Sequence, residues 1–213
     1  MADIAELLRA ERLALIELLE TLKADEWTVP SLCGGWTVQD VAAHIAWMPA
    51  LSAKRAALEL ARRGFRINTM IAETAHIWSA QGPDAILEQL RVTMRTGAVP
   101  VGTSSLIGLA DAVIHQLDIR RPLARPRPIP EAAFTAVADL QVSVRWPSTV
   151  VVGGSVRRRI RGVRLVADDN GWTFGAGAEV RGSPEAILLM LSNRPLRQGE
   201  LTGPGSERLR LHR

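Results

Sequence analysis

The chain has 213 residues, 47% of them hydrophobic, enough for one large domain or two small ones with a real core. Its formal net charge is +4, but the basic residues are almost all arginine and are spread along the chain. Stacking aromatics do not interleave with the one dense run, Arg157-Arg158-Arg159-Ile160-Arg161, so no nucleic-acid partner is expected.

The first residues are acidic and helical and lack a signal-peptide pattern, and apolar runs are broken by charge well short of a bilayer span, so no membrane segment is expected. The single cysteine, Cys33, excludes an internal disulfide and fits a reducing, cytoplasmic setting. Residues 3 to 22 read as a first helix, with Ile4, Leu7, Leu8, Leu13, Ile16, Leu19 and Leu22 forming its apolar stripe. Pro30 ends the following extended piece, and Gly34 and Gly35 permit a tight loop before Trp36. Thr37 and Asp40 are spaced as a capping box, which gives Asp40 a structural task. The second helix is expected from Val38 to about Arg63, kinked at Pro49. One turn beyond Asp40 it presents His44 among Val41, Ala42, Ala43 and Ile45, surroundings that suit a packed core histidine.

A third helix is expected over residues 67 to 79, with His76 on its surface or lining a groove. Gly82-Pro83-Asp84 breaks the chain before a helix over 85 to 95, and Thr103 or Ser104 caps the next long one. The Pro-rich stretch 121 to 130 is a stiff crossing, and Pro130 starts a helix over 131 to 144. After Trp146-Pro147 the pattern changes to short β-rich runs, 149–152, 162–167, 172–174 and 178–181, with a hairpin signal at Asp169-Asn170-Gly171. An apolar helix over 184 to 191 follows. A domain boundary is expected near 147, giving a helical domain 1–146 and a small α/β domain 147–213.

The stretch 108 to 119 is apolar on most sides yet carries Asp111, His115 and Asp118. Asp111 and His115 are four apart and share one helix face. A carboxylate beside an imidazole among Leu109, Val113 and Ile114 costs free energy unless compensated, either by a divalent metal or by a structural Asp–His hydrogen bond.

Two segments carry a family resemblance. Trp27-x2-Pro30-Ser-x-Cys33-x-Gly35-Trp36-Thr-Val-x-Asp40-Val-x-x-His44 and Asp111-x3-His115-Gln-x-Asp118-Ile-x-Arg-Pro-Leu123 are similar to the two signatures of the mycothiol-dependent maleylpyruvate isomerase family. The resemblance implies an α+β protein: an N-terminal DinB-like four-helix bundle, then a smaller α/β domain resembling the sterol-carrier type. It also implies a divalent metal, usually zinc, held by His44, Asp111 and His115, with Asp111 standing where the best-known isomerase has the longer Glu.

Two histidines and a carboxylate are a three-ligand catalytic set that leaves a position for water or substrate. That position suits a thiol, and in the family the thiol is mycothiol. Asp118 is placed to support His115 from behind, or to make a helix-end hydrogen bond. The resemblance further implies that Arg194, after the last apolar helix, binds an anionic substrate; satisfying helix-end carbonyls is the structural alternative. Cys33 reads as a packed loop residue.

The expected activity is a metal- and mycothiol-dependent isomerisation or S-transfer on a small electrophile, by a monomer or homodimer whose partners are that substrate and a low-molecular-weight thiol. The alternatives are a non-catalytic metal-binding protein of the same fold and a small-ligand binding module.

Overall fold

The computed structural model describes residues 3–145, 148–150 and 154–209, and the chain divides into two compact units, Met1–Arg127 and Pro128–Arg213. The first unit contains α1 (Ile4–Glu20), α2 (Val38–Trp47), α3 (Ala53–Arg62), α4 (Ile67–Ser79), α5 (Pro83–Thr96) and α6 (Ser105–Arg120). Helices α1 and α2 each pack on both α5 and α6, which closes the expected four-helix bundle, and α4 lies against the outside of α2. Its core brings Leu15 and Leu19 of α1 against Ile45 of α2, Ile86 and Leu90 of α5 and Ile119 of α6, with Trp27 and Trp36 from the intervening loop. Burying each large apolar side chain contributes about 1.5–3 kcal/mol, and this core fixes the crossing of α2 on α6.

Polar contacts set the seam between α1 and α6. Gln116 donates to the buried Glu11, whose carboxylate also accepts two bonds from Arg127, at 2.8 and 3.1 Å. Arg120 reaches the Ala14 carbonyl at 2.7 Å. Because a buried carboxylate is costly unless paired, this network holds α6, and with it His115, at one register. On the other side of α1, the buried Arg12 donates to the carbonyls of Thr93 and Ala98 at the end of α5.

The expected single helix from 38 to 63 is two helices. Met48–Ala50 forms a 3-10 turn, and Ser52 then caps α3 by accepting from the Arg55 amide. Pro49 lacks the amide an unbroken helix needs, and a capping serine three residues on makes a fresh start cheaper than a kink. The capping box of α2 forms as read: the Asp40 amide donates to Thr37 Oγ1 and the Thr37 amide to Asp40 Oδ2.

In the second unit α7 (Glu131–Ser143), α8 (Val156–Arg159) and α9 (Pro184–Leu191) accompany β1 (Val163–Ala167), β2 (Thr173–Gly175), β3 (Ala178–Gly182) and β4 (Leu201–Thr202). The sheet is mixed, ordered β2-β1-β3-β4: β1 pairs antiparallel with β2 across the Asp169-Asn170-Gly171 turn and parallel with β3. Helix α9 packs on β1 and β3, and α7 packs on α9 and α8. The two compact units meet at Arg127/Pro128, nineteen residues before the expected boundary at 146/147. Phe134, Val137 and Ala138 of α7 are fully buried, and Asp139 accepts from the Trp172 indole at 2.9 Å, which ties α7 to the sheet rather than to the bundle. Trp146 and Pro147 lie outside the described residues, as do residues 151 and 152 of the expected first strand; Ser148–Val150 is a 3-10 turn.

Candidate metal centre

Helix α6 carries Asp111 and His115 on one face, and α2, packed across it, brings His44 to the same place. Asp111 Oδ1 lies 3.4 Å from His44 Nε2 and 3.4 Å from His115 Nε2, and one donor atom from each of the three residues falls within 4.8 Å of the others. A separation of 3.4 Å is long for a charged hydrogen bond. It matches the spacing of two ligands each about 2.1 Å from a tetrahedral zinc, which stand about 3.4 Å apart. The shorter carboxylate of Asp111 thus reaches both imidazoles. Side-chain exposure is 7% for His44, 12% for His115 and 25% for Asp111, so the group opens on the Asp111 side.

His115 is oriented from behind: its Nδ1 lies 2.9 Å from Oδ2 of Asp118, whose side chain is fully buried. That bond directs the Nε2 lone pair of the neutral ring towards Asp111, the arrangement usual for a metal-ligating histidine. His44 lacks such a bond, since its buried Nδ1 has no hydrogen-bond partner among the described residues. The indole of Trp36 covers both rings, at centroid distances of 5.3 Å to His44 and 6.2 Å to His115.

The electrostatics are those of a compact ion pair. Burial raises the Asp111 carboxyl, but the charges of His44 and His115 and hydrogen bonds to them outweigh it and hold it far below the usual carboxylate range. Burial disfavours the His115 cation, yet the charge and hydrogen bond of Asp111, with those of Asp118, push its pKa up to about 10. A metal held by this set would have to displace the proton on His115.

Asp40, read as a cap, is one, and it does more. Its Oδ1 accepts from Ser79 Oγ at 2.6 Å and faces Nδ1 of the half-exposed His76 at 3.1 Å. Burial raises its pKa, and the bonds from Ser79, Thr37 and His76 together bring it below normal. Arg194 follows α9 in the second unit; its amide donates to the Leu189 carbonyl at 2.8 Å and its Nη1 to the Ser192 carbonyl at 3.4 Å. Cys33 packs partly buried against the bundle core. Trp36 is the contributor that residue patterns alone did not single out: it lies in a loop, where no periodicity marks a side chain as facing a site.

Residues 8–98 match the domain family described as the mycothiol maleylpyruvate isomerase N-terminal domain. The match lies wholly within the helical unit. The matched stretch carries Trp36, Asp40 and His44, while Asp111 and His115 lie beyond it on α6. Two solved structures are similar over nearly the whole chain: the mycothiol-dependent maleylpyruvate isomerase, at TM-score 0.59 and 16% identity, and its histidine-to-alanine mutant, at 0.63 and 15%. Each comparison covers 94% of this chain and 91% of the other, so the likeness of fold extends over both units. No curated protein matches the chain.

Proposed function

We propose that the protein is a metal- and mycothiol-dependent isomerase or S-transferase acting on a small electrophilic, carboxylated substrate. The observation that carries this reading is the convergence of His44 Nε2 and His115 Nε2 on Asp111 Oδ1, each at 3.4 Å, with one donor atom from each of the three residues within 4.8 Å of the others. Bound there, zinc supplies Lewis acidity that favours the thiolate of a thiol at neutral pH. Mycothiol would supply the thiol nucleophile for reversible addition to an activated double bond, and the name of the domain family supports that thiol over others.

The chain's own residues do the holding. Two neutral histidines and one carboxylate bind the cation while leaving a net positive site for an anionic sulfur. Asp118 keeps the His115 proton on Nδ1. Trp36 excludes water from one side of both rings. Arg194 is assigned to the substrate's carboxylate, which its planar fork can meet with two parallel bonds.

Metal analysis tests this assignment. The purified protein should carry about one zinc per chain. His44→Ala should carry almost none, and Arg194→Ala should match the parent while binding carboxylated ligands more weakly. Equal metal in the parent and His44→Ala would overturn the ligand set; a loss in Arg194→Ala would give that arginine a structural role instead.

A further inference from the structure

The two histidines of the candidate centre are held differently. A ligating imidazole keeps its direction when its second nitrogen is hydrogen-bonded, and Asp118 does this for His115 at 2.9 Å. His44 Nδ1 is buried and has no such partner among the described residues, so on the side away from Asp111 this ring is not held by a hydrogen bond. Two rings lie against it: His115, 5.0 Å away between centroids and edge-on, and Trp36, 5.3 Å away and tilted by 53°. The same indole stacks on His115 at 6.2 Å and 21°. Both distances lie within the range of favourable aromatic pairs.

Trp36 is itself fixed. Its amide donates to the Cys33 carbonyl at 3.0 Å, and its carbonyl accepts from the Ser31 amide and hydroxyl at 2.8 and 2.9 Å. The loop is pinned to the ligand-bearing helix by a bond from the Leu32 amide to the Asp118 carbonyl, 3.1 Å. The indole therefore has a definite place relative to α6 and passes it on to a ring on α2.

We propose that Trp36 is a positioning residue of the metal centre, doing for His44 by ring packing what Asp118 does for His115 by hydrogen bonding. This rests on His44, Asp111 and His115 being ligands. It assigns the loop 31–36 a task in metal coordination, and it explains how His44 is tolerated with an unpaired nitrogen: its direction is set sterically.

Cobalt(II) titration of the full chain, followed through the visible d–d bands, tests the proposal with Trp36→Leu and Trp36→Phe. Trp36→Leu should lose about 10- to 100-fold in cobalt affinity, the usual cost of removing a ligand's support, and its visible band should shift. Trp36→Phe, which keeps a ring, should recover most of the affinity. Trp36→Met fills the space without a ring and replaces Trp36→Leu should that variant not fold. Zinc should alter the indole emission of the parent, and that change should vanish in Trp36→Phe. Parental affinity and spectrum in the ringless variant would overturn the proposal. So would losses that are equal in Phe and Leu and track their thermal midpoints, or a zinc-dependent emission change that persists in Trp36→Phe. A parent that binds no cobalt would instead overturn the ligand assignment itself.

Discussion

Asp111 and Asp118 flank His115 on one helix, and a substitution at each separates holding a metal from supporting its holder. Asp111 touches both imidazole Nε2 atoms, whereas Asp118 touches only the far nitrogen of His115. Asp111→Ala should abolish measurable zinc uptake. Asp118→Ala should weaken it by about 10- to 100-fold with the stoichiometry unchanged, as competition with a chromogenic chelator would show. Similar losses in the two would contradict these roles.

The His115 proton gives a second handle. In the metal-free protein the folded pKa of His115 stands near 10, above the ordinary 6.5. Its charged form therefore contributes stability that is complete below pH 6.5 and lost as pH rises towards 10. Zinc must displace that proton, so zinc affinity should rise with pH over the same window, by about tenfold per unit for one proton released. Asp111, whose pKa is lowered, stays charged throughout. Affinity independent of pH between 6 and 8 would mean His115 does not ligate.

At the scale of elements, Asp40 joins a helix start to its neighbour. Besides closing the α2 cap it binds Ser79 and His76 of α4. Asp40→Ala should therefore cost about 2 kcal/mol in urea unfolding, a cap and a buried hydrogen bond together, while leaving metal content intact. Loss of metal in that variant would place Asp40 in the centre.

The cap was legible because Thr37 and Asp40 declare it by local spacing. So were α4 and α9, bounded by Gly82-Pro83 and Ser183-Pro184, and the β1–β2 hairpin with its Asp-Asn-Gly turn. Local chemistry marks such ends. The break at Pro49 was harder, because a proline reads alike as a kink or a stop until the Ser52 cap decides it. The two-residue strand β4 and the single turn α8 are too short to show any period. The allegiance of α7 depends on which apolar surface it buries, and its sequence is apolar enough for either unit.

For the whole molecule, a fold shared at 15–16% identity means that few identical side chains accompany the common architecture. The helical unit supplies all three candidate ligands, and Arg194 belongs to the second unit. Asp111 and His115 were visible in sequence as a pair on one face. Only the packing of α2 on α6, a contact between residues 67 positions apart, turns the pair into a triad. In the proposed function this triad holds a metal that receives an external thiol. Calorimetric titration of mycothiol into zinc-loaded and metal-free protein tests it most directly. Binding should occur to the zinc-loaded form alone, strengthening as pH rises towards the pKa of the free thiol because metal and proton compete for the sulfur. Equal affinity for both forms, or no binding to either at millimolar thiol, would contradict it.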